Sequence, residues 1–158
     1  METKVIKITN PLFVGEIAPL IQNFFARVTK NNQWHGISYE TIYTYLTNIV
    51  QFGGETNELW VAFLDSKPIA FAAFRLCLVP HFGKVSCDYL FKTVKEHEPA
   101  TLLGKEFIKF GEKHKAPYYV FEAIDESQAK LFKKRLRDVG VEMKETSIIH
   151  LIGRKIDE

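Results

Sequence analysis

Apolar positions fall into two periods along the chain, close to 3.6 residues in some stretches and 2 in others, and each switch predicts an element boundary. Val5, Ile6 and Ile8 around Lys7, followed by Asn10-Pro11, predict an opening strand within 1–9. From Leu12 to Lys30, Ile17, Leu20, Ile21, Phe24, Phe25 and Val28 form one helical face, with Pro19 in the first turn. The polar segment 31–36 carries Trp34 and His35 at its tip. Ser38 then caps a second helix, whose apolar face is Ile42, Tyr45, Leu46, Ile49 and Val50 and whose stop is Gly53-Gly54.

The second half begins with strand patterns. Glu58 to Leu64 and Ile69 to Val79 read as strands joined by a tight turn at Asp65-Ser66-Lys67-Pro68, and Lys84 to Lys92 continues the meander after Pro80-His81-Phe82-Gly83. A turn centred on Phe82 would set Cys77 opposite Cys87, near enough for a cross-strand disulfide, although free thiols fit a reducing compartment better. Pro99 opens a helix with Leu103, Phe107 and Phe110 on its face, running to Lys115 before Pro117. A strand at Tyr118 to Ile124, a helix carrying Ala129, Phe132, Leu136 and Val139 that stops at Gly140, and a last strand at 145–154 complete the chain. The predicted order is β, α, α, β, β, β, α, β, α, β, an α/β (α+β) chain with a mixed central sheet.

Composition narrows this picture. The 158 residues suit one domain, 1–158, and an apolar fraction of 46% with 25% charged residues suits a packed core. A net charge of +2 gives no general attraction to nucleic acid or membrane. No apolar run approaches the roughly 20 residues of a spanning helix, so a cytoplasmic protein is expected. Five basic residues in 130–137 read as a solvated helix face, because no base-reading motif accompanies them. His81, Cys77, Cys87 and Asp88 lie near one hairpin but lack paired-cysteine spacing, so no metal site is expected.

The element order resembles the GNAT acetyltransferase superfamily across essentially the whole chain. The resemblance implies an acetyl-coenzyme A site where two strands splay apart, with the pyrophosphate on the loop before the helix that follows the meander. That loop is Thr93 to Thr101. The family favours Arg or Gln, two residues, Gly, one residue, then Gly or Ala. Lys95-Glu96-His97-Glu98-Pro99-Ala100 matches with a basic first position and Ala100, but has Glu98 where Gly is expected. A pyrophosphate needs small side chains and free N–H donors. Glu96 and Glu98 are therefore expected to set two carboxylates against the anion, and Pro99 to remove one donor.

The same resemblance assigns the remaining candidates. Leu90 would offer backbone groups to the pantetheine arm, with Lys92, Lys95, His97, Ala100 and Thr101 around the cofactor. Asp88 is the candidate general base, acting through water. Trp34 and His35 sit where relatives border the acceptor, a small-molecule or peptide amine. Phe132 stands where many relatives carry a Tyr that reprotonates the thiolate, and it has no proton to give. The alternative expectation is a GNAT-like domain without activity, serving as a structural or interaction module with a protein partner or a second copy of itself.

Overall fold

The structure is a computed structural model that describes residues 2–31, 38–79, 83–92, 98–121, 126–138 and 140. Its elements are β1 (Thr3–Ile8), a 3-10 segment (Pro11–Ile17), α1 (Ala18–Asn31), α2 (Tyr39–Phe52), β2 (Asn57–Leu64), β3 (Lys67–Val79), β4 (Gly83–Lys92), α3 (Glu98–Lys113), β5 (Tyr118–Phe121) and α4 (Glu126–Asp138). This is the expected order through the fourth helix. The last expected strand, 145–154, lies outside the described residues.

The first helix differs from its expected form for a local reason. Asn10 accepts the Leu12 N–H at 3.0 Å and Pro11 follows it, so the pair that ends the opening strand also starts the next turn. Pro19, however, has no N–H for the Gly15 carbonyl, which instead accepts from Ala18 three residues on. The segment therefore winds as 3-10 until Ala18. The second helix follows its signals closely: Ser38 is extended and accepts the Thr41 N–H at 3.1 Å. A side chain at Gly53 would press within 2.3 Å of the Ile49 carbonyl, and Gly54 takes a positive φ of 56°.

Among the described residues the strands form one five-stranded sheet in the order β1-β2-β3-β4-β5, antiparallel except for the parallel β4–β5 pair. Asp65 and Ser66 both take positive φ, which makes a two-residue hairpin whose twist suits the strands. Pro68 and a bulge at Ala62/Phe63 fall together, where a missing N–H would otherwise break the ladder. The next turn differs from expectation. Val79 pairs with Gly83, so the hairpin is centred one residue earlier than Phe82; Cys77 pairs with Val85, and Cys87 with Arg75. Cys77 is half-buried and free. The expected opposition of the two cysteines is thus corrected to a diagonal, about 7–8 Å apart, too far for a disulfide.

β2 and β3 are covered on both faces. On one, Leu59, Val61, Phe71 and Ala73 meet Ile17 of the 3-10 segment and Leu20, Ile21, Leu46 and Ile49 of α1 and α2. On the other, Ala62, Ala70, Ala72 and Phe74 meet Leu103, Phe107 and Phe110 of α3. The small Ala70 and Ala72 let α3 lie close, while Phe74 packs its ring 5.2 Å from Phe107 and 5.8 Å from Phe110. Among the described residues, no helix is long and apolar enough to cross a membrane.

Candidate functional site

β4 carries most of the sequence candidates, and it pairs with β3 on one side and β5 on the other. Val85, Ser86, Cys87 and Asp88 pair with Tyr118, Tyr119, Val120 and Phe121, and there the β4–β5 pairing of the described residues ends. Tyr89, Leu90, Phe91 and Lys92 continue β4 and pair with Ala73, Ala72, Phe71 and Ala70 of β3, while residues 122–125 lie outside the described residues.

The sequence candidates distribute along this strand as follows. Asp88 is the last residue paired with β5, and its β3 partner is the fully buried Phe74. It stands within the strand rather than at the strand end. Leu90 pairs with Ala72 and Lys92 with Ala70, both of which line the α3-side core. Residues 93–97 then lead into α3; Lys95 and His97 lie outside the described residues, as do Trp34 and His35.

Across that connection stands the first turn of α3. Pro99 and Ala100 are buried and Thr101 is half-buried. An α-helix leaves its first N–H groups without partners in the helix, so Glu98 and Ala100 each bring a donor while Pro99 brings none. The Glu98 carboxylate departs from expectation. Its Oε2 accepts a 2.8 Å hydrogen bond from Thr3 Oγ1, which ties it to the start of β1 and gives it a partner other than an anion. Of the two expected opposing carboxylates, Glu98 is thus engaged elsewhere, and Glu96 lies outside the described residues.

A second polar cluster, unforeseen from the sequence, sits under the other end of α3. Glu58 has a side chain only 7% exposed; Lys7 Nζ reaches its Oε1 at 2.7 Å, Lys113 Nζ approaches the same oxygen at 3.8 Å, and Trp60 Nε1 donates to Oε2 at 2.9 Å. Burial pushes the Glu58 carboxyl up, but hydrogen bonds from Lys7 and Trp60 and the charges of Lys7 and Lys113 outweigh it and hold it below the usual carboxylate value. A carboxylate and an indole two residues apart on an otherwise apolar strand were the available signal. Nearby, burial first and Glu112 second raise the Tyr119 hydroxyl, which donates to the Ile108 carbonyl at 3.3 Å. Among the described residues no group of three or more His, Cys, Asp or Glu is placed to hold a metal ion.

No protein-family model matches the chain, and no curated protein matches it in sequence. Solved structures do match in shape. A predicted acetyltransferase from Clostridium acetobutylicum, crystallised with acetyl-CoA, superposes with a TM-score of 0.70 at 11% identity, over 96% of each chain. Glucosamine-6-phosphate N-acetyltransferase from Arabidopsis thaliana superposes with a TM-score of 0.66 at 8% identity, over 97% of this chain and 100% of that one. Ribosomal-protein-alanine N-acetyltransferase from Brucella melitensis gives 0.64 at 14% identity, over 96% and 100%. At these identities the likeness speaks for architecture. The chain has the fold of the GNAT acetyltransferases.

Proposed function

We propose that the protein is a GNAT-like N-acyltransferase that moves an acetyl group from acetyl-coenzyme A to an amine by direct attack in a ternary complex. The observation that carries this reading is the fold shared with acetyltransferases, in which the meander β2–β3–β4 is followed by α3 with the small Ala100 in its first turn.

The described residues fit such a cofactor. The N–H groups of Glu98 and Ala100 suit a diphosphate, Ala100 is small enough to let it approach, and the Glu98 carboxylate is occupied by Thr3. Lys92, Lys95, His97 and Thr101 would complete that end, the two lysines offsetting phosphate charge. When bound, acetyl-coenzyme A supplies an activated thioester carbonyl. Backbone groups at Leu90 would hold the pantetheine arm and polarise that carbonyl. Asp88 would accept the amine proton through a water as the new C–N bond forms and the C–S bond breaks. Trp34 and His35 would border the amine. Phe132 cannot return a proton to the departing sulfur, so solvent does. Catalysis rests mainly on positioning.

Support for an amine acceptor comes from relatives whose names specify different ones, a sugar phosphate in one case and a protein alanine in another. Calorimetric titration with acetyl-coenzyme A and its dephospho analogue tests the reading. Micromolar affinity, weakened in the analogue, is expected. No heat and no thermal stabilisation at millimolar cofactor would overturn it and leave the non-catalytic module.

A further inference from the structure

The contacts between α3 and the sheet fall into two kinds. Leu103, Phe107 and Phe110 pack on Phe74 and the alanines of β3, an apolar contact that resists separation but has little direction along the helix axis. Directional contacts from β1 and β2 stand at the two ends, while Tyr119 of β5 donates to the Ile108 carbonyl between them. At the first residue of α3, Thr3 donates to Glu98 at 2.8 Å; at the last, Lys113 approaches Glu58, which Lys7 and Trp60 also hold. The spans agree: α3 has 16 residues, about 24 Å of helix, and Glu58 lies about 20 Å along β2 from Leu64, the partner of Thr3.

We propose that these two polar latches fix the axial position of α3 on the β1–β2 edge, and that Glu98 is a positioning residue that holds the first turn in place rather than a charge that repels the cofactor. The inference rests on the acetyltransferase reading where cofactor affinity is the readout, and it adds to that reading the roles of Thr3, Glu98 and Lys113. A carboxylate in the place of the family's glycine thereby gains a task. It exchanges freedom of approach for a bond to a strand 95 residues away in sequence.

The test compares T3V, E98A, E98Q and the double variant T3V/E98A in the full chain, all at or beside an exposed contact. Acetyl-coenzyme A affinity is read by calorimetry, and amide hydrogen exchange is read along α3. T3V and E98A are each expected to raise the Kd roughly fivefold, about 1 kcal/mol. The double variant should do no more than either alone, because one contact is lost in all three. E98Q, whose amide oxygen still accepts from Thr3, should stay near wild type. The opposite pattern, with E98A and E98Q both tightening binding and T3V silent, would show a repelling charge and overturn the latch.

Failure of the wild type to bind at millimolar cofactor would instead overturn the acetyltransferase reading. In that case exchange alone decides the latch: faster exchange in the first turns of α3 in both T3V and E98A supports it, and unchanged exchange overturns it. K113M should loosen the opposite end of α3 by the same measure.

Discussion

At Glu58 burial and pairing act in opposite directions on one carboxyl, and pairing prevails. Its folded-state pKa lies below the ordinary value of 4.5, so the unfolded chain binds its proton more readily. The contribution of Glu58 is therefore fully present above the ordinary value and is lost as pH falls through the folded-state pKa. Urea denaturation at pH 7 and at successively lower pH should show this decline, and E58Q should flatten it. At pH 7, E58A leaves Lys7, Lys113 and the Trp60 N–H without their acceptor. Breaking a buried pair costs about 3–5 kcal/mol, but Lys7 and Lys113 are 37% and 52% exposed and regain water, so about 2 kcal/mol is expected. Asp88 calls for a kinetic measurement. If it takes the amine proton, D88N lowers kcat by roughly 100-fold or more and leaves the KM for acetyl-coenzyme A unchanged.

Elements join closely where side chains are absent as well as where they are large. Gly111 of α3 faces Tyr119 of β5, and a Cβ there would stand 2.3 Å from the ring. The Gly111→Ala variant must therefore push β5 or α3 aside. A loss of about 1–3 kcal/mol is expected, read as a fall in Tm of several degrees. A Tm within one degree of wild type would show that the tyrosine swings away at little cost. Element boundaries followed the sequence where the signal was local. Ser38 and Gly53-Gly54 marked both ends of α2 because caps and glycines act within one turn. The hairpin between β3 and β4 did not follow, because its register answers to the ladder of pairs from Ala70–Lys92 to Val79–Gly83 rather than to its loop residues. A shift of one residue in the centre moved every pair by two, which separated Cys77 from Cys87.

For the whole molecule, linkage turns the proposed function into a stability measurement. A ligand present at 100 times its Kd stabilises the folded state by about 2.7 kcal/mol, roughly 5–10 °C in Tm for a chain of this length. Acetyl-coenzyme A is expected to produce that shift. An equal shift with adenosine alone would place recognition elsewhere than the Tyr89–Lys92 strand and the first turn of α3.

By itself the sequence determined the order of elements through α4, the faces that Leu46, Ile49, Phe107 and Phe110 turn to the core, and the caps that start and stop α2. Each depends on residues within a few positions of one another, and periodicity records them directly. The tertiary structure alone decided that Cys77 pairs with Val85, that Glu98 answers to Thr3, and that Glu58 draws together Lys7, Trp60 and Lys113. These relations join residues far apart in the chain, where strand register and the seating of one helix set what touches what, and no local pattern carries that information.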